Sequence, residues 1–310
     1  MTIDFVLPAS FEPVILASRK SELARKQTEI VRARLLPVPS EMLGMSTIGD
    51  EVLDRPLEKV GGKGVFSKTL EVAILDGRAD AAVHSMKDME TELTRGTTIG
   101  AVLPREDCRD ALVGQYASID ALPVNASIGT ASVRRAALLR HLRPDLRIGL
   151  LRGNITSRIA RLKSGEFDAV ILAVAGLKRL QSDINYIPLS EELMPAAAAQ
   201  GALALQVRTG TERAAILTPL FSQLNCADTE TTVTAERAVL AKIDGSCRTP
   251  LSAMARLSGE DITVTACLLS KDGVQKFEAK SSGLASHAAE IGAKVGEQLL
   301  AQCGGRSFLE

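Results

Sequence analysis

Residues 127–176 read SIGTASVRRAALLRHLRPDLRIGLLRGNITSRIARLKSGEFDAVILAVAG, and their alternation decides the fold class. Short apolar runs at 127–129, 147–151 and 168–174 have the length of strands. Between them, 132–142 and 156–164 carry apolar residues at helical spacing. The run from Asp168 to Val174 is almost continuously apolar, as a central parallel strand covered on both faces should be. Strand–helix–strand–helix–strand predicts βαβ units around a parallel sheet, hence an α/β protein.

The same reading extends in both directions. Upstream, 14–17 reads as a buried strand, and Ser21 as the N-cap of a helix to about Leu36, with Leu23, Ile30 and Leu35 in helical spacing. Residues 41–48 read as a strand, Ser67–Gly77 as a helix, and Ala81–Val83 and Ala111–Val113 as strands. The glycines and charges of Gly49–Gly64 suggest a mobile loop. Downstream, 195–201 (PAAAAQG) marks a boundary before an apolar run at 202–207. A helix at 229–243, a loop at 244–250, alternating segments at 262–269 and 273–281 and an amphipathic helix from about 286 to 302 describe a small α+β domain. No internal sequence repeat is evident.

Four apolar runs end in turns that pair a hydroxyl residue with a cation: Ser18–Ser21, His84–Asp88, Thr130–Arg135 and Arg152–Arg158. All but the second run into a helical pattern. In open α/β sheets ligands sit beyond the carboxyl ends of strands, where helix N-termini attract anions. Arg134, Arg135 and Arg158 fall in first helical turns, where a cation opposes the helix dipole at roughly 0.3–1 kcal/mol each. A bound polyanion would remove that penalty.

The chain has 310 residues, 45% of them hydrophobic, with 37 basic residues against 37 acidic ones. Neutrality argues against a nonspecific nucleic-acid or membrane binder, and the low aromatic content against base-stacking platforms. The arginine clusters are therefore local features suited to a small polyanionic ligand. Five cysteines form no C-x-x-C pair, and three histidines are widely separated, so neither a disulfide scaffold nor a metal site is expected. No apolar run approaches a membrane span, and no signal peptide is evident, which reads as a cytoplasmic protein.

The glycines at 61–64 lack the spacing of a phosphate-binding loop. Asp88, beside Lys87 at a strand end, is either a solvated turn residue or a cleft carboxylate facing a cation or an N–H donor. His84 reads as a packed or turn histidine. Cys247 stands apart from the other cysteines: it sits between Gly245, Ser246 and Arg248 in a loop closed by Pro250, where a thiol beside a cation is a candidate nucleophile or attachment point.

The stretches LASRKSELARKQ (16–27), GDEVLDRPLEKVGGKGVFSKTLEVAIL (49–75), RADAAVHSMKDM (78–89), REDCRDALV (105–113), IGTASVRRAALLRHLRPDL (128–146), LRGNITSRIARLKSGEFDAVILAVAGLKRL (151–180), AQGALALQ (199–206) and TAERAVLAKIDGSCRTPLSA (234–253) resemble the porphobilinogen deaminases, also called hydroxymethylbilane synthases. The resemblance implies two periplasmic-binding-protein-like α/β domains around a cleft, 1–103 with 200–222 and 104–199, plus a small α+β domain at 223–310. It implies a transferase of tetrapyrrole and heme biosynthesis that adds four porphobilinogen units to a dipyrromethane primer, built from substrate and held through a thioether, and then releases the linear product with water. It also implies a monomer.

By motif position, the resemblance assigns the primer thioether to Cys247 and the catalytic carboxylate to Asp88. Asp88 would offset the cationic azafulvene left by ammonia and accept from pyrrole N–H groups. Primer carboxylates would be held by Lys87, Ser132, Arg134, Arg135 and Arg158. Arg19, Ser21, Ser85, Arg152 and Arg179 would bind substrate or the growing chain, and Lys59, Lys63 and Phe66 belong to a loop over the cleft. The chain departs from the family pattern at Ala131, at Gln206, in the alanine-rich 195–201 stretch and at Met89–Glu92. A non-catalytic solute receptor with the same cleft would share the fold but would leave Cys247 and Asp88 without a role.

Overall fold

The computed structural model describes residues 11–47, 49, 64–243 and 249–309, and the chain divides into two compact units. The first runs to Arg105 and returns with Ala202–Glu230. The second comprises Glu106–Gly201 and the chain from Thr231 onward.

Unit 1 contains β1 (Val14–Arg19), α1 (Glu22–Leu35), β2 (Ser40–Met45), α2 (Lys68–Leu75), β3 (Ala81–Ser85) and β4 (Thr97–Val102), joined by β10 (Leu203–Arg208) and α6 (Glu212–Ser222) from the returning segment. The sheet order is β2-β1-β3-β10-β4. β1 is parallel to β2 and β3, and β10 is antiparallel to β3 and β4. Successive side chains of a strand face opposite ways. Val14 and Leu16 accordingly join Val31, Leu35, Leu205 and Phe221 in one core, while Ala17 meets Leu70, Ala73 and Ile74 in the other. Both faces of the sheet are covered, as its apolar strands require.

Unit 2 contains β5 (Asp110–Gly114), β6 (Ser127–Thr130), α3 (Val133–Leu142), β7 (Arg147–Leu150), α4 (Ile155–Lys163), β8 (Ala169–Ala173), α5 (Val174–Arg179) and β9 (Tyr186–Pro188). Its order β7-β6-β8-β5-β9 has the same pattern of parallel and antiparallel neighbours as the first sheet. This repeat is invisible in the sequence. The fourth strand of the first sheet follows its three parallel strands in the chain, whereas in the second sheet it precedes them.

The rest of unit 2 is an antiparallel meander, β11 (Leu251–Ser258), β12 (Asp261–Leu269) and β13 (Lys276–Leu284), packed with α8 (Ala288–Gln302). The long helix α7 (Ala227–Ile243) leads into it. Val239, Ile243, Val264, Leu268, Val295 and Leu299 form its core. Two glycines let α7 and α8 approach closely: a Cβ on Gly292 would lie 2.1 Å from the Ala235 carbonyl oxygen. The expected α/β class with a small α+β region is what the chain adopts. β4, β9, β11, α5 and α6 were not anticipated, Val174 opens α5 rather than ending β8, and β2 stops at Met45 rather than reaching 48.

Candidate functional site

In unit 1 the parallel neighbours β1 and β3 end on the same edge of the sheet. β1 ends at Arg19, and Lys20 and Ser21 follow; the Ser21 hydroxyl accepts the Ala24 N–H at 3.4 Å and caps α1. Beyond β3 the chain makes a 3-10 turn, Met86–Asp88, that carries Lys87 and Asp88, both partly buried. The turn is pinned from below: Met86 is buried, its N–H donates to the Ala202 carbonyl at 3.1 Å, and the Met89 N–H returns to the Met86 carbonyl at 3.2 Å. Ser85, at the end of β3, accepts from Gln27 Nε2 at 2.8 Å. The Phe66 ring lies under the Arg19 guanidinium at 4.4 Å. Arg19, Ser21, Ser85, Lys87 and Asp88 thus share the carboxyl-end edge of one sheet.

Just below that edge, His84 is fully enclosed, and burial pushes its pKa down to about 4 against the opposing charge of Glu71. Among the described residues no hydrogen bond of full geometry reaches its Nε2 or Gln206 Oε1, although Gln206 faces the ring. Gln206 Nε2 donates to Thr97 Oγ1 at 2.8 Å and, longer, to Glu71 Oε1 at 3.4 Å.

Unit 2 repeats the arrangement. Beyond β6, Ser132 caps α3 by accepting the Arg135 N–H, and its own N–H donates to Thr130 Oγ1 at 3.1 Å. Beyond β7, Arg152 is buried and Gly153 turns the chain in the left-handed region (φ +107°). Asn154 then caps α4 by accepting the Ser157 N–H at 2.8 Å. A side chain at Gly153 would place a Cβ 2.3 Å from Ser157 Oγ, so only glycine fits. Arg158 Nε donates to the Gly153 carbonyl at 2.9 Å, and Arg179, at the end of α5, donates to the Gly201 carbonyl at 2.6 Å.

Arg134 and Arg135 differ from the expectation that a ligand relieves their clash with the helix dipole. Both are buried, and both reach one carboxylate of the chain itself. Asp110, at the start of β5, accepts from Arg134 Nη2 and Arg135 Nη2 at 2.7 Å each, and from Gln200 Nε2 at 2.8 Å. Arg134 also donates to the Pro195 carbonyl at 2.6 Å, and Arg135 to the Ile171 carbonyl at 3.0 Å. Burial alone would raise the Asp110 pKa; the two guanidiniums and the amide overcome it and hold the carboxyl well below the usual range. Two guanidiniums against one carboxylate leave the cluster positive, and among the described residues Arg135 Nε has no hydrogen-bond partner.

Lys59, Lys63 and Cys247 lie outside the described residues. Sequence reasoning missed Asp110, Gln200 and Glu236. Glu236 is buried and accepts the Ala199 and Ala255 N–H groups at 2.7 and 2.9 Å, holding Ala199 at φ +58°. The available signal was slight: Asp110 directly precedes the apolar run Ala111–Val113, and a charge drawn into a buried strand needs a partner. Among the described residues no group of three or more His, Cys, Asp and Glu is placed to hold a metal, and no helix is long and apolar enough to cross a membrane.

The model of the porphobilinogen deaminase dipyrromethane cofactor-binding domain matches residues 14–216, and that of the porphobilinogen deaminase C-terminal domain matches 230–301. The chain belongs to the porphobilinogen deaminase family. Its first matched region is therefore a dipyrromethane-binding one, and the general function is that of a transferase in tetrapyrrole synthesis. Solved structures overlap it only loosely. The Bordetella pertussis BvgS periplasmic VFT2 domain is 14% identical with a TM-score of 0.38, over 67% of this chain and 86% of that one. A zinc-bound ligand-binding component of an ABC-type import system from Staphylococcus aureus is 11% identical with a TM-score of 0.38, over 76% of each chain. The probable amino-acid ABC transporter extracellular-binding protein ytmK from Bacillus subtilis is 14% identical with a TM-score of 0.38, over 67% of this chain and 89% of that one. Overlaps this loose carry no functional weight.

The donor set suits a dipyrromethane. Each of its rings bears carboxylates, and unit 2 offers a buried cluster with surplus positive charge, a guanidinium nitrogen without a partner among the described residues, and a capping serine that still has a proton to donate.

Proposed function

We propose that this chain condenses four porphobilinogen molecules stepwise, with loss of ammonia, onto a dipyrromethane held by Cys247 through a thioether, and then releases hydroxymethylbilane by hydrolysis. The observation that carries the reading is Asp88: a carboxylate on a pinned turn beyond β3, on the same strand-end edge as Arg19 and Ser21. When bound, the dipyrromethane supplies the nucleophilic pyrrole carbon that each new unit joins.

The residues of the chain do the rest. Asp88 offsets the positive charge left on the substrate methylene as the carbon–nitrogen bond breaks, and accepts from pyrrole N–H. A preorganised charge in a water-poor site lowers such a barrier by several kcal/mol. Lys87, Ser132, Arg134, Arg135 and Arg158 hold the carboxylates of the dipyrromethane, and Arg134 and Arg135 act as one positive base with Asp110 beneath them. Arg19, Ser21, Ser85, Arg152 and Arg179 receive the carboxylates of incoming substrate. Lys59, Lys63 and Phe66 belong to the covering loop. We read the protein as a cytoplasmic monomer.

The test is the intact mass of the denatured protein, with Cys247→Ser alongside. The expected result is an excess of two linked pyrrole units in the parent, none in the variant, and further pyrrole steps when porphobilinogen is added. A parent of bare chain mass that gains nothing from porphobilinogen overturns the reading in favour of a receptor. An excess that persists in Cys247→Ser overturns the attachment site.

A further inference from the structure

The stretch that carries Asp88 also reaches the Arg19–Phe66 pair. Glu90 lies two residues beyond Asp88, and its Oε1 accepts the Gly64 N–H at 2.8 Å. Gly64 is left-handed (φ +73°), and its carbonyl accepts the N–H groups of Ser67 and Lys68 at 3.1 and 2.9 Å, starting α2. The next carbonyl, that of Val65, accepts the Gly49 N–H at 3.0 Å. Phe66 follows, with its ring close against Gly49: a Cβ there would lie 2.2 Å from a ring carbon. The other face of this arrangement is Arg19, 4.4 Å from the ring centroid. Phe66 is thus located by α2 on one side, by Gly49 on the other, and by a Glu90 bond at the pivot between them.

A ring stacked on a guanidinium occupies its face and leaves the in-plane N–H groups as donors, the edge with which arginine grips a carboxylate. We propose that Glu90 is a positioning residue: through the Gly64 N–H it fixes Phe66 against Arg19, and so sets the direction in which Arg19 meets a substrate carboxylate. This rests on the proposed function for its substrate, but the hydrogen bond itself does not.

The experiment compares the parent holoenzyme with E90A, E90Q, F66L and E90A/F66L. It reads Gly64 amide hydrogen exchange by mass spectrometry, together with KM and kcat for porphobilinogen. In E90A the Gly64 amide is expected to exchange faster. KM should rise roughly fivefold, the net size of one ordinary hydrogen bond, with kcat nearly unchanged. E90Q keeps an acceptor oxygen and should restore most of both. E90A/F66L should be no worse than F66L, because both changes act on one path. Unchanged Gly64 exchange in E90A overturns the bond. A loss confined to kcat, an unchanged KM, or additive KM effects in the double variant overturns the positioning role. A parent protein inactive on porphobilinogen sinks the function instead, and the exchange comparison still decides the Glu90 bond.

Discussion

Asp110 Oδ1 and Arg135 Nη2 meet at 2.7 Å in the interior of unit 2, and Arg134 approaches the second carboxylate oxygen at the same distance. The cations at the start of α3 are therefore held by the fold itself. Asp110→Asn should cost about 3–5 kcal/mol, since removing one partner leaves buried charges uncompensated. Chemical denaturation of the parent and the variant checks this; a loss under about 1 kcal/mol would contradict the cluster. Because the folded carboxyl titrates below its unfolded value of about 3.9, its contribution is complete above that pH and fades as pH falls.

The same geometry sets what Arg134→Leu should do. It strands part of Asp110 and the Pro195 carbonyl, so melting temperature and dipyrromethane loading should fall together. Normal loading in a folded Arg134→Leu protein would remove Arg134 from the proposed contact set.

His84 predicts a second pH dependence. Its folded pKa of about 4 lies below the unfolded 6.5, so the unfolded chain binds more protons between those values and stability drops as pH falls through that window. At about 1.4 kcal/mol per pKa unit the loss is on the order of 3 kcal/mol by pH 4. The groups facing it are Glu71 and Gln206, with Asp88 and Arg19 contributing at longer range. His84→Gln should flatten the melting temperature between pH 6.5 and 4. An equally steep curve in the variant would place the titration elsewhere.

Asp88→Asn should leave melting behaviour intact, because the turn is held by main-chain bonds and the buried Met86 rather than by the carboxylate. Turnover of porphobilinogen should fall by at least about a hundredfold, the scale of losing one preorganised charge. Near-normal product formation would defeat the role given to Asp88.

Gly153→Ala should destabilise the fold by about 1–3 kcal/mol in chemical denaturation, since an alanine there both strains the backbone and meets Ser157 Oγ. Removing that hydroxyl should relieve part of the damage. A Gly153→Ala/Ser157→Ala protein no better than Gly153→Ala would mean backbone strain alone is responsible.

Where burial is the organising force, the sequence was readable. Residues 127–174 fold into the elements their periodicity announces, and Ser21 and Ser132 cap the helices that follow them. β4 escaped because Thr97, Thr98 and Gly100 dilute its pattern on an edge strand, and α6 because Pro219 interrupts its interior. The partner of Arg134 and Arg135 was hidden for another reason. Asp110 is 24 residues away in sequence, and only the sheet, which sets β5 beside β8, brings it under α3. Of the site residues, the turn and cap positions followed from local pattern. Which guanidiniums face inward did not.

The placement of β10 sets an order of assembly. It lies between β3 and β4, so β4, ending at Val102, has no strand to pair with until residues 203–208 have been synthesised. The sheet of unit 2, drawn from the single span 110–188, has no such wait. The half of the protein translated second can therefore close first, while the strands made earliest stay incomplete at the ribosome with an edge open to mispairing.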